Sequence, residues 1–167
     1  MQRLSGQDAY FLYRETPTAH QHTLKVAIYE PPAPMPSYAE IKAGIARHLH
    51  LMPPLRRRLV WVPLGLHHPV WIEDPDFDLD FHVRRVGVPP PGGPRELDEM
   101  VSEIASHALD RSHPLWELWV LEGIAGGRQA AVLKLHHAVA DGVVAATLIE
   151  RTAVESAAAE PPPPARA

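Results

Sequence analysis

Apolar residues recur along the chain in two rhythms, one of period two and one near 3.6, and proline-rich breaks divide them. Residues 23–29 alternate from Thr23 through Leu24, Lys25, Val26, Ala27 and Ile28 to Tyr29 in the manner of a strand, which Pro31-Pro32-Ala33-Pro34 stops. Ser37 then opens a predicted helix. Its hydroxyl can cap a free backbone N–H while Glu40, three positions on, reaches back to the cap, and Ile41, Ile45 and Leu49 supply the buried stripe up to Pro53-Pro54. Residues 59–62 and 69–72 predict short strands, the second leading into Glu73-Asp74-Pro75. Residues 76–86 alternate only partly, so they either continue the sheet or cross between elements.

The second half has cleaner periods. Residues 88–94 form a Pro/Gly loop, and from 96 to 109 the apolar positions Leu97, Met100, Val101, Ile104, Ala108 and Leu109 keep a helical spacing. Two strands, 116–121 and 130–135, flank a glycine turn at 123–127 and predict a hairpin, with Pro114 limiting where the first begins. A last helix is expected over 142–154, followed by Pro161-Pro162-Pro163-Pro164. The division is one domain over 1–154 and a proline-rich linker or tail over 155–167, a stiff spacer leading onward.

Composition narrows the chemistry. The chain of 167 residues has no cysteine, which excludes disulfides, thiolate metal ligands, iron–sulfur ligation and a cysteine nucleophile within it. Sixteen basic and 20 acidic side chains give a net charge of −4, so no global attraction to nucleic acid or to an anionic membrane is expected. The run Arg56-Arg57-Arg58 is a local basic patch whose ordinary role is a solvated face or a set of ion pairs. No apolar stretch approaches the roughly 20 residues that cross a bilayer, and the opening MQRLSGQDAYFLYRETP lacks a signal-peptide core. A cytoplasmic protein is therefore expected. The short patches Tyr10-Phe11-Leu12 and Val60-Trp61-Val62 can touch a lipid interface, although burial is their commoner fate.

The segment His136-His137-Ala138-Val139-Ala140-Asp141-Gly142 concentrates the candidate chemistry. It follows the apolar run 130–135 and precedes Val143-Val144-Ala145-Ala146, so strand, tight connection and helix is the predicted order. A neutral imidazole at a strand end can take a proton from a substrate alcohol if its other nitrogen is held in one tautomer. Because neighbours on a strand point to opposite faces, only one of His136 and His137 should face substrate. Asp141 can orient a ring, cap the helix or pair with a distant arginine, and Gly142 lets the connection run close to a wall. Metal binding competes, since the chain has 11 histidines. There is no H-E-x-x-H, however, and His137 and Asp141 share a helical face only if a helix starts before His137, so no metal site is expected.

The motif H-H-x-x-x-D-G resembles that of the condensation and chloramphenicol-acetyltransferase-like superfamily. Further segments are similar to the bacterial wax ester synthase/diacylglycerol acyltransferase family: Leu4-Ser5 with Asp8 and Phe11-Leu12; Trp71 and Asp74 with Phe77-Asp78-Leu79-Asp80-Phe81-His82-Val83-Arg84; and Leu109-Asp110-Arg111 before Pro114-Leu115-Trp116-Glu117. The resemblance implies an α/β fold, a mixed β-sheet with flanking helices forming one half of a two-domain coenzyme-A-dependent acyltransferase.

It also implies transfer of a fatty acyl group from acyl-coenzyme A, a cosubstrate rather than a resident cofactor, to diacylglycerol or a long-chain alcohol. His137 would be the general base and His136, Asp141 and Gly142 the supporting frame. Leu115 and Trp116 are candidate substrate wall, core packing being their alternative. Neither the coenzyme A contacts nor the oxyanion donor can be assigned from these residues. A C-terminal half, on the same precursor or another chain, would complete the cleft, and lipid substrates would bring peripheral contact with a membrane or lipid droplet. The competing expectations are a noncatalytic lipid-binding or interaction domain of the same shape and a carrier-protein-dependent condensation domain.

Overall fold

The computed structural model describes residues 1–31 and 36–139. The expected final helix, the proline-rich tail, Asp141 and Gly142 lie outside the described residues. In chain order the elements are β1 (Gln2–Arg3), α1 (Gly6–Arg14), β2 (His22–Tyr29), α2 (Tyr38–His48), β3 (Arg57–Val60), β4 (Val70–Glu73), α3 (Leu79–His82), β5 (Val83–Gly87), α4 (Pro94–Ser106), β6 (Trp116–Ile124) and β7 (Arg128–His136).

A four-stranded mixed sheet of order β2-β7-β6-β5 carries the site, and a small antiparallel sheet β1-β4-β3 packs beside it. β6 and β7 form the expected hairpin, and β2 pairs antiparallel with β7 from His22 opposite His136 to Tyr29 opposite Gln129. β5 runs parallel to β6, with α4 as the crossover between them. The middle strands β6 and β7 read as nearly unbroken apolar runs because both their faces are covered. On one face Leu118, Val120, Ala131, Leu133 and Leu135 pack with Leu12 of α1 and Ile41 and Ile45 of α2. On the other, Leu121, Ala130 and Val132 pack with Leu97 and Ile104 of α4.

Local chemistry explains the element ends. The capping box at Ser37 is formed: Glu40 N–H donates to the Ser37 hydroxyl (3.3 Å) and Ser37 N–H to the Glu40 carboxylate (2.8 Å). The predicted stripe of Ile41, Ile45 and Leu49 is buried. The helix ends at His48, ahead of the expected Pro53-Pro54 stop, and tightens into two 3₁₀ turns, Leu49–Leu51 and Pro53–Arg56. Strand 59–62 is shifted to Arg57–Val60, which aligns Leu59 opposite Trp71 of β4. Residues 76–86 divide into a one-turn helix and β5, because the Asp78 carboxylate accepts from Asp80 N–H (2.8 Å) and starts the turn. Gly92 must be glycine: its φ is +70°, and a Cβ there would lie 2.2 Å from the Gly123 carbonyl oxygen.

The helix expected over 96–109 occupies Pro94–Ser106 instead. Pro94 fits the first turn, where its missing N–H is no loss, and Glu96 accepts from Gly93 N–H (2.8 Å). The far end is closed by side chains from the sheet. Lys134, buried in β7, donates to Ile104 O (2.7 Å) and to His107 O; His22 Nε2 donates to Ala105 O (3.0 Å) and His20 Nε2 to Ser106 O (2.9 Å). These donors take the carbonyls that continuing helix would have used, so Ala108 and Leu109 lie beyond it.

Lys134 was legible only as a polar interruption of an apolar strand, yet it ties β7 to α4. Replacing it by Met keeps most of the aliphatic stem but leaves two carbonyls without a donor. Lys134→Met is predicted to lower the unfolding free energy by about 2–3 kcal/mol in denaturant titration. A change below about 0.5 kcal/mol would show that water replaces the ammonium at no cost.

Candidate active site

The two histidines sit where β7 runs out of the sheet. His136 N–H donates to Leu115 O (3.1 Å) and His137 N–H to Gln21 O (2.8 Å), so the ladder holds the backbone of both. The chain then turns, with Val139 N–H donating back to His136 O (3.0 Å). His136 is 1% exposed and His137, in the turn just past β7, is half-buried, so the two differ in their access to solvent.

Both ring nitrogens of His136 are engaged. Nδ1 accepts the N–H of Ala138 (3.0 Å) and therefore carries no proton, which leaves the proton of the neutral ring on Nε2, 3.3 Å from Glu15 Oε2. The same carboxylate oxygen receives Arg111 through Nη2 (2.5 Å) and Nε (3.1 Å), and Arg111 Nη2 also donates to Leu12 O (2.9 Å) near the end of α1. Burial lowers the His136 pKa most, outweighing the opposing pull of Glu15, and it is pushed down to about 4. For Glu15 burial is the largest influence and raises the pKa, but the Arg111 hydrogen bond and charge, with His136, bring the net shift downward. The result is a neutral imidazole against an ionised carboxylate, itself neutralised by a guanidinium.

His137 has different company. Its ring stacks on Phe11 of α1, centroids 4.9 Å apart and planes at 22°. A cleft of about 300 Å³ borders the turn, lined by Ala138, Val139, Trp71 and Pro54 with Gln2, Asp8 and Arg57 as polar wall. Leu115 and Trp116, read from sequence as candidate wall, are fully buried. The Trp116 indole donates to Leu55 O (2.7 Å) and stacks on His82 (4.5 Å, 10°), and Phe77 stacks on that imidazole as well (5.0 Å, 11°). These contacts are core packing, and neither side chain presents surface to a substrate. The His82 imidazole also engages Trp116 O through Nδ1 (2.8 Å).

Glu15 and the stacking role of Phe11 were not legible in sequence. No period links residue 15 to residue 136, and the usable signal was the four-residue spacing of Phe11 and Glu15, which brings both side chains toward one side of α1. The arginine run resolves as its ordinary reading: Arg56 pairs with Glu73 (3.0 Å), Arg58 with Asp74 (3.3 Å), and Arg57 donates to Gln2. Among the described residues no group of three or more His, Asp or Glu is placed to hold a metal ion, and no helix is long and apolar enough to cross a membrane.

Similarity to known proteins converges on one family. Residues 4–167 match the family model described as the wax ester synthase/diacylglycerol acyltransferase catalytic domain. Two Mycobacterium tuberculosis proteins, each named as a candidate diacylglycerol O-acyltransferase, are 50% identical over 153 residues and 49% identical over 145. These alignments cover 90% and 86% of this chain but 33% and 31% of the relatives, so the chain spans about a third of their length. The solved wax ester synthase/diacylglycerol acyltransferase from Marinobacter aquaeolei VT8 aligns with a TM-score of 0.75 and 32% identity, over 90% of this chain and 36% of that one. The first condensation domain of the CDA synthetase, at 16% identity and a TM-score of 0.70 over 91% of this chain and 37% of its own, shares the fold. By this match, extending over nearly its whole length, the chain belongs to the wax ester synthase/diacylglycerol acyltransferase catalytic-domain family.

Proposed function

We propose that this chain is the histidine-bearing N-terminal portion of an O-acyltransferase that moves a fatty acyl group from acyl-coenzyme A to diacylglycerol or a long-chain alcohol, with His137 as general base. The observation that supports it best is the division of labour between neighbours. His136 has both ring nitrogens engaged inside the protein, whereas His137 is half-buried on a stacked aromatic at the end of the sheet. A base must be reachable by its substrate, and the partial exposure of His137 supports that role.

In the proposed step a ring nitrogen of His137 accepts the proton of the acceptor hydroxyl as its oxygen attacks the thioester carbonyl. The new C–O bond gives a tetrahedral intermediate; the C–S bond then breaks, and the imidazolium returns the proton to the departing coenzyme A sulfur. Asp141 and Gly142, outside the described residues, are assigned the support of the turn. The acyl-coenzyme A contacts and the second wall are assigned to the further length that the relatives have, a C-terminal portion on the same precursor or another chain. Peripheral contact with a membrane or droplet is supported by exposed Leu64 and Leu66 beside the half-exposed rings of Trp61 and Tyr13, which lie 6.2 Å apart.

In a protein carrying this chain together with the rest of the relatives' length, His137→Ala is predicted to reduce kcat for acyl-coenzyme A-dependent esterification by about 10²- to 10⁴-fold. Unchanged turnover would remove His137 from the chemistry. His136 gives a separate pH prediction. Its folded pKa near 4 lies below the ordinary value of about 6.5, so between these values the unfolded chain binds a proton that the folded one refuses. Stability is full above pH 6.5 and falls on acidification through pH 4, by up to about 3 kcal/mol from this group. His22 and His82, also lowered by burial, act in the same direction, so denaturant titrations of wild type and His136→Gln should be compared. The variant should lose less stability between pH 7 and 4; an equal loss would mean that His136 is protonated without penalty.

A further inference from the structure

Helix α1 touches both histidines. Phe11 lies under the His137 ring, and Glu15, four residues on at the C-cap of the helix, receives His136. Arg111 joins the end of this helix to the carboxylate, since one of its nitrogens donates to both Leu12 O and Glu15 Oε2. Glu15 is 8% exposed at its side chain, so the carboxylate is not a surface partner that solvent could replace.

We propose that Glu15, held by Arg111, is a positioning residue for the acyl transfer: by accepting the Nε2–H of His136 it fixes that ring's tautomer and, through it, the turn that presents His137. This inference rests on the function proposed above. The coupling is one of hydrogen-bond parity. With the proton on Nε2, Nδ1 is a lone-pair acceptor and receives Ala138 N–H, while Val139 N–H returns to His136 O, so ring and backbone of one residue bind both Ala138 and Val139. The other tautomer would set an Nδ1–H against the Ala138 N–H, donor facing donor, and the turn would have to open. Glu15 therefore acts at a distance from the reacting atoms. It never meets the substrate in this scheme, and its carboxylate needs to remain ionised without itself taking the proton.

Glu15→Gln tests this with nearly unchanged shape. The amide still offers an oxygen to Arg111, but its NH₂ can face His136 Nε2 and favour the wrong tautomer. Three readings are taken on the protein that carries the chain and its remaining length. In ¹⁵N spectra of ring-labelled histidine, wild-type His136 is expected as the Nε2–H tautomer, with the Nδ1–H form growing in Glu15→Gln. The kcat is expected to fall about 10- to 100-fold with KM within about two-fold, as misplacement of a base rather than lost binding. In the His137→Ala background, Glu15→Gln is expected to cost nothing further, because its effect passes through that ring.

Glu15→Asp, which keeps the charge on a shorter arm, should recover part of kcat and the wild-type tautomer, and it replaces the amide variant if that one does not fold. An Nδ1–H tautomer in the wild type, unchanged kcat in Glu15→Gln, or an equal loss with and without His137 would each overturn the proposal. If instead His137→Ala keeps full activity while the tautomer readings come out as expected, the base assignment fails and the positioning of a catalytic base fails with it, leaving the hydrogen-bond geometry intact. The spectra therefore separate the two failures.

Discussion

Burying an imidazole costs least when both of its nitrogens have partners, and the histidine turn meets that condition at His136, whereas the buried His82 ring is bonded only through Nδ1. One nitrogen takes the Ala138 amide and the other meets Glu15, while Arg111 compensates the carboxylate and anchors the end of α1. Each connection fixes a different element: the exit of β7, the first helix and the segment before β6. An unpaired donor or acceptor at this depth would cost on the order of 1–3 kcal/mol. The adjoining His137 inherits a fixed backbone and a stacked ring without having to be buried.

The same economy of polar groups holds the neighbouring helix. Lys134, two residues before His136 and on the same face of β7, crosses under the sheet's apolar cover to the last carbonyls of α4, with His22 and His20 beside it. Lys134, His22 and His20 thus secure the end of α4, and His136 secures the turn, at one end of the sheet. The paired strands make this rigid: β7 is hydrogen-bonded on both sides, to β2 and to β6, up to the histidine. Residues at such a strand end are positioned by the backbone ladders on either side.

Much of the fold was legible because it depends on local signals. The capping box at Ser37, the alternating strand that became β2, the glycine turn of the β6-β7 hairpin and the apolar stripe of α4 all follow from residues close in sequence. Element ends were less legible where distant side chains decide them. The C-terminus of α4 is set by Lys134, 28 positions after Ser106 in the chain, and the parallel pairing of β5 with β6 follows from the crossover rather than from any period in either strand. At the site, the histidine pair and its position where the strand ends were readable. Glu15 was not, since its partner lies 121 residues away and a lone acid before Thr16-Pro17 has nothing to mark it. Trp116 illustrates the converse: its motif drew it toward the site, but the indole's size and its single N–H are used up in the core by Leu55 and His82.

The central claim is that two adjacent histidines have opposite roles, one consumed by structure and one left for chemistry. A crystal structure of the complete protein with an alcohol acceptor bound tests it most directly. The account predicts the acceptor hydroxyl within about 3 Å of a His137 ring nitrogen, with His136 still closed between Glu15 and the Ala138 amide. An acceptor hydroxyl bound to another side chain, with the His137 ring turned away from it, would contradict the account.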